Sequence, residues 1–191
     1  DFEKMAALTP SDEPYLTTSI FKLAKNRITW LMVLMISSTF TSMLIAGYEE
    51  SLSVLLMMFV PRLMNTGGNA GSQASTLIIR GMAVGEIEFR DILKVWLREI
   101  GIAALCGLAL GIVNFAQIYF MNGRDMNLSL TVSFALFFII VIAKSVGCIL
   151  PMVAKKLRID PAIMASPMIT TILDAASLLI YFSIARMLMG L

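Results

Sequence analysis

Apolar runs of twenty residues or more recur along this 191-residue chain, and they restrict sharply what it can fold into. A helix needs about 20 consecutive apolar residues to cross the hydrocarbon core of a bilayer. Five stretches suit that length: Ile28 to about Gly47, about Ser51 to Ile79, about Val95 to Tyr119, about Leu128 to Val153, and a last one opened by Pro161 and ending near Gly190. Charged residues make up 15% of the chain, against about a quarter in soluble domains, and they collect between the runs. A transmembrane β-barrel would alternate apolar and polar residues over strands of about ten; no such alternation is present. The expected fold is an all-α membrane protein, with five transmembrane helices over residues 28–191 behind an N-terminal amphipathic helix in residues 1–27.

Ser11-Asp12-Glu13-Pro14 is a helix start, with a side-chain oxygen for unpaired N–H groups and acids at the positive end of the dipole. Beyond it Leu16, Ile20, Leu23 and Ala24 share one face, and Lys22, Lys25 and Arg27 follow. Such a segment lies on the membrane surface, plugs a vestibule, or serves as a solvated arm. Basic residues decide the orientation. Lys22, Lys25, Arg27, Arg80, Arg90, Lys94, Arg98, Lys155, Lys156 and Arg158 fall on one side of five spans, while the other side offers Glu49, Glu50, Arg124 and Asp125, with Arg186 near the end of the last span. The positive-inside rule then places the N-terminus in the cytoplasm and the C-terminus outside, in a multi-pass protein of the cell membrane. The first residue is Asp1 rather than Met, so the chain is expected to be part of something longer.

Histidine is absent, and both cysteines, Cys106 and Cys148, sit inside apolar runs. No imidazole or thiolate metal site can be assembled, and no acid–base pair for an enzyme is available. The net charge of +2 is explained by topology and gives no reason to expect nucleic-acid binding.

Asp174 stands near the middle of the last run among apolar and small neighbours. A carboxylate at bilayer depth costs on the order of 3 kcal/mol or more and faces protein or water, never lipid. Ser166, Thr170, Ser177 and Tyr181 lie three or four residues apart along the same helix, so they extend Asp174 into one polar stripe. The second run is unusual too. Asn65, Asn69, Ser72 and Thr76 repeat at helical spacing, with Thr66 and Gln73 beside them, and Gly67 and Gly71 form a G-x-x-x-G pair. Small residues let helices approach closely and amides bond across the contact; the same amide, hydroxyl and backbone oxygens also suit the lining of a path for hard, hydrated cations. Pro61 is expected to kink this span part-way along. The glycines do not make a phosphate loop, since no G-K-[ST] follows them.

Two readings of Asp174 remain open from the residues alone. It pairs with Lys144, mid-span in the fourth run, or Arg62, well inside the second, and merely holds the bundle together. Alternatively, its hydroxyl-rich face is the wall of a hydrated cation path, which the residues favour. An odd number of spans argues against an inverted repeat within one chain, so a symmetric path takes its other half from a second copy. Two carboxylates on a two-fold axis, with hydroxyls and carbonyls around them, match a divalent cation, including hydrated Mg²⁺.

Pro61-x-x-x-x-Thr66-Gly67-Gly68-Asn69-Ala70-Gly71-Ser72-Gln73, followed by Leu77-Ile78-Ile79-Arg80-Gly81, resembles the signature second helix of the MgtE family of magnesium channels. Asp160-Pro161-Ala162 and Pro167-x-x-x-Thr171-x-x-Asp174 resemble its fifth helix. The likeness runs from about Tyr15 to the end. It implies a homodimer in the lipid bilayer, a pore between the subunits lined by the second and fifth helices, and transport of Mg²⁺ held in hydrated form at Asp174. It implies pore-lining roles for Asn69 and Thr170, a plug helix over residues 14–26, and a cytoplasmic Mg²⁺-sensing region not contained in this stretch. Ser166 and Ser177 depart from residues found in some members, Asn and Gly. The expected function is a passive Mg²⁺ channel. Its rivals are a proton- or Na⁺-coupled divalent cation exchanger and a non-transporting membrane scaffold.

Overall fold

The computed structural model describes residues 18–48, 54–123, 125–164 and 166–190. They form α1 (Ile20–Tyr48), the one-turn α2 (Val54–Met57), α3 (Val60–Ala83), α4 (Ile92–Met121), α5 (Met126–Lys156) and α6 (Ser166–Met189). Short 3₁₀ turns at Phe89–Asp91 and Pro161–Met164 precede α4 and α6. No strand occurs among the described residues. Four stretches are long and apolar enough to cross a bilayer: Leu31–Tyr48, Phe89–Met121, Met126–Lys156 and Pro167–Met189. The chain is thus a multi-pass membrane protein. α3 is as long as α6, 24 residues or about 36 Å at 1.5 Å per residue, but its glycines and amides lower its hydropathy.

The helices alternate in direction. Arg62 near the start of α3 meets Asn114 near the end of α4. Lys155 at the end of α5 donates to the Met82 carbonyl at the end of α3, 3.0 Å away. Tyr48 and Phe182, late in α1 and α6, pack with ring centroids 4.8 Å apart. One end of the bundle therefore carries Arg80, Arg90, Lys94, Lys155, Lys156 and Arg158 together. Lys155 caps α3 there, and Lys156 sits 4.2 Å over the Phe89 ring.

α5 is the central element, packing on α3, α4 and α6, while α3 also packs on α6 and α1 leans on α6. Close approach of backbones makes this possible. A Cβ on Gly147 of α5 would run into the Gly71 carbonyl of α3, and one on Gly71 would strike Leu173 of α6. A Cβ on Gly67 would lie 2.8 Å from the Ile139 side chain and 2.9 Å from the Ser177 hydroxyl. The G-x-x-x-G pair thus seats α3 between α5 and α6. The core beside it includes Leu63, Ile139, Ile140, Leu178 and Phe182.

One expectation is changed by the structure. Pro61 does not kink a continuous span. The chain breaks at residues 58–59, and Pro61 occupies the first turn of α3, where its missing N–H has no helical partner to lose. α1 runs without interruption from Ile20 to Tyr48. The segment before residue 18, including the helix start at Ser11-Asp12-Glu13-Pro14, lies outside the described residues.

Candidate cation site

α3 separates its residues by size and polarity. Gly67, Gly71, Ala74, Ser75 and Ile78 are buried against the bundle, while Asn65, Asn69, Gln73 and Thr76 point away from it and are exposed. Helical spacing of three and four residues puts these four on one face. The Nδ2 of Asn69 donates to the Oδ1 of Asn65 at 3.4 Å, leaving most of the capacity of both amides unused within the chain.

A cavity of about 570 Å³ opens beside this face. Its walls include Pro61, Asn65, Gly68 and Asn69 of α3, Thr170 and Asp174 of α6, and Ile45 of α1. Gly68 allows the meeting of α3 and α6, since a Cβ there would come within 3.1 Å of the Thr170 methyl. Thr170 and Thr171 donate their hydroxyls to the Pro167 carbonyl at 3.0 and 2.9 Å. Each hydroxyl oxygen therefore keeps its lone pairs for a ligand or water. Asp174 is half-buried on the cavity wall. No cation among the described residues pairs with it.

The other intramembrane charges are committed elsewhere. Lys144 of α5 lies 3.7 Å from the Glu99 carboxylate of α4, both side chains more than nine-tenths buried. Arg62 donates to the Asn114 Oδ1 at 2.9 Å, and Asn114 donates to the Ser133 hydroxyl at 3.2 Å. The salt-bridge reading of Asp174 is therefore not what the structure contains among the described residues.

The remaining residues singled out from the sequence are dispersed. Asn69, Thr170 and Asp174 share the cavity. Gln73 lies on the exposed polar face of α3 outside the cavity wall. Thr66 donates its hydroxyl to the Arg62 carbonyl, 2.9 Å. Ser177 is 2% exposed and fills the contact with Gly67. Tyr181 is buried too, and its hydroxyl donates at 2.9 Å to the Leu56 carbonyl, which also accepts from the Phe59 N–H where α2 ends. Ser166 opens α6, and its side chain lies outside the described residues. Asn65 belongs to the wall and was detectable as a member of the amide stripe. Glu99 and Asn114 were missed, although a charge and an amide inside an apolar run were signal enough.

Comparison with known proteins places this arrangement. The MgtE family, described as divalent cation transporters, matches residues 60–184, from the start of α3 to near the end of α6. The chain belongs to the MgtE family. Among its relatives, the magnesium transporter MgtE of Thermus thermophilus is 35% identical over 191 residues, covering 99% of this chain and 42% of that protein. The magnesium transporter MgtE of Bacillus subtilis is 33% identical over 191 residues, covering 97% of this chain and 41% of that protein. That of Enterococcus faecalis is 33% identical over 173 residues, covering 88% and 37%. This MgtE family chain thus spans about two fifths of the length of the curated relatives it matches. The matched region contains every described wall residue of the cavity except Ile45.

Proposed function

We propose that this chain forms the pore of a passive Mg²⁺ channel. In this reading α3 is a fifth transmembrane helix and two copies face each other across a two-fold axis. α3 and α6 of each copy line the path between them. Asp174 is the selecting carboxylate, holding Mg²⁺ that keeps most of its waters. The basic end of the bundle is cytoplasmic, which puts the end of α6 outside, and residues 1–27 act as a plug on the cytoplasmic side.

The observation that carries this reading is the open cavity holding Asp174 beside an α3 face of amides and hydroxyls that no other helix among the described residues covers. Such a face is excluded from lipid by the cost of leaving polar groups without partners. It calls for water, a second copy, or both. The ligand set favours a hard cation: Mg²⁺ is reluctant to dehydrate and is held by one or two carboxylates plus retained waters, with hydroxyl and amide oxygens able to bond those waters. The names of the relatives supply the choice of Mg²⁺ among divalent ions.

Mg²⁺ uptake by liposomes containing the purified chain tests this. The wild-type chain should pass Mg²⁺ down its gradient without a proton or Na⁺ gradient. Asp174→Asn should reduce that flux to the level of empty liposomes while gel filtration still shows a dimer. Flux that requires an opposing proton or Na⁺ gradient would establish exchange instead, and a folded dimer without any flux would establish a scaffold.

A further inference from the structure

A second concavity lies away from the cation site, between α4 and α5, with a volume of about 440 Å³. Its floor is made by Gly107 and Gly111 of α4, and its sides by Leu108 and Ile112 of α4 and Phe134 and Phe138 of α5. Gly107 leaves room because a side chain there would meet the Phe137 ring at 2.9 Å. The size falls in the range of about 300–1,000 Å³ found for sites that enclose a small molecule. Its walls are almost wholly hydrocarbon. Ser133 is the one polar side chain among them, and its hydroxyl already accepts from Asn114 at 3.2 Å and so makes little demand on an occupant.

What fills the groove follows from where it opens. Leu108, Ile112, Phe134 and Phe138 are 59%, 61%, 50% and 48% exposed, and Leu105 and Val113 continue the apolar surface at 74% and 63%. In a multi-pass protein this surface faces acyl chains. α4 packs chiefly on α5, whereas the cation cavity is bounded by α1, α3 and α6. The groove therefore shares no wall residue and no helix with the cation cavity. It reaches along residues 107–115 of α4 and 130–138 of α5, from mid-helix toward the end of the bundle where α4 and α5 are joined. Water is excluded by the absence of polar partners, and a polar segment of protein by the same argument.

We propose that this groove is a binding site for one acyl chain of a membrane phospholipid, entering from the leaflet on the α4–α5 loop side. The glycine floor lets the chain lie between the helices rather than against their outer surface, so the bound lipid exchanges more slowly than the surrounding annulus.

The test is photolabelling of the purified chain in phospholipid vesicles doped with phosphatidylcholine that carries a diazirine mid-chain. Leu108, Ile112, Phe134 and Phe138 should be labelled several-fold more heavily than Phe40 and Met43 of α1, which are at least as exposed at 66% and 65%. Gly111→Leu should bring that labelling down to the α1 level, because a Cβ at Gly111 meets only the Ser133 carbonyl, at 3.7 Å, and the longer side chain then occupies the groove. Leu108→Trp at the exposed rim is the second variant, with the same expected loss should Gly111→Leu fail to fold. Equal labelling of the groove and α1 in the wild-type chain, or labelling unchanged in a folded variant, would overturn the proposal. So would efficient disulfide cross-linking between copies carrying Ile112→Cys, which would identify the occupant as a second copy of this chain.

Discussion

Each ionisable side chain inside this bundle has a distinct solution to its cost. Arg62 reaches an amide, Lys144 reaches Glu99, and Asp174 is left with a cavity. The Lys144–Glu99 pair is a bundle contact, and its energetics have a characteristic asymmetry. Removing one partner of a buried pair strands the other and costs about 3–5 kcal/mol, whereas replacing both by apolar groups of similar volume is close to neutral. Glu99→Leu alone should therefore lower the thermal midpoint in detergent markedly, and Glu99→Leu with Lys144→Met should restore it to near the wild-type value. Equal losses in the single and double variants would show that the pair has a role beyond neutralising its own charges. Asp174→Asn belongs to the opposite class, since no side-chain cation among the described residues pairs with that carboxylate, and it should leave the midpoint unchanged or raised in the absence of Mg²⁺.

Among the elements, α3 decides how the others are arranged. Its small residues bring α5 and α6 to backbone contact, which turns its amides outward. Gly71→Val should cost about 1–3 kcal/mol as an overpacked contact, read as a loss of thermal stability, because the added atoms meet Leu173, Ile169 and the Ala143 carbonyl together. Gly101→Ala of α4, where nothing lies within 4 Å of an added Cβ, should cost nothing and serves as the control. Much of this was legible in the residues. Span length and the placement of charge gave the helices, and spacing gave the amide face of α3. What was not legible depended on how helices cross. Ser177 and Tyr181 share a helical spacing with Asp174, but α6 carries that stripe from the cavity into its contacts with α3 and α2, so the two hydroxyls are consumed in packing. The break before Pro61 escaped for a related reason. A proline inside a long apolar run fits both a kink and a helix start, and only the placement of Phe59 as the N-cap of α3 decides for the second. Lys144 had several possible partners in the sequence, and only the placement of α4 against α5 selects Glu99.

For the whole molecule, one chain accounts for one wall. The cavity is bounded on three helices, and the polar face of α3 stays open beside it among the described residues, so in the proposed channel a second copy encloses the ion. The proposed channel binds the cation with its waters, and size then becomes a test. Cobalt hexammine has an inert shell resembling that of hydrated Mg²⁺, so it should block Mg²⁺ flux without being transported. Flux that persists at saturating cobalt hexammine would mean that the ion sheds its waters before reaching Asp174. The most direct measurement is the structure of the assembled protein in a bilayer-like environment with Mg²⁺ present. Ion density is expected on a two-fold axis, with one Asp174 carboxylate from each of two copies facing it. Asp174 side chains that lie apart in the assembly, with Mg²⁺ density at another set of residues, would contradict it.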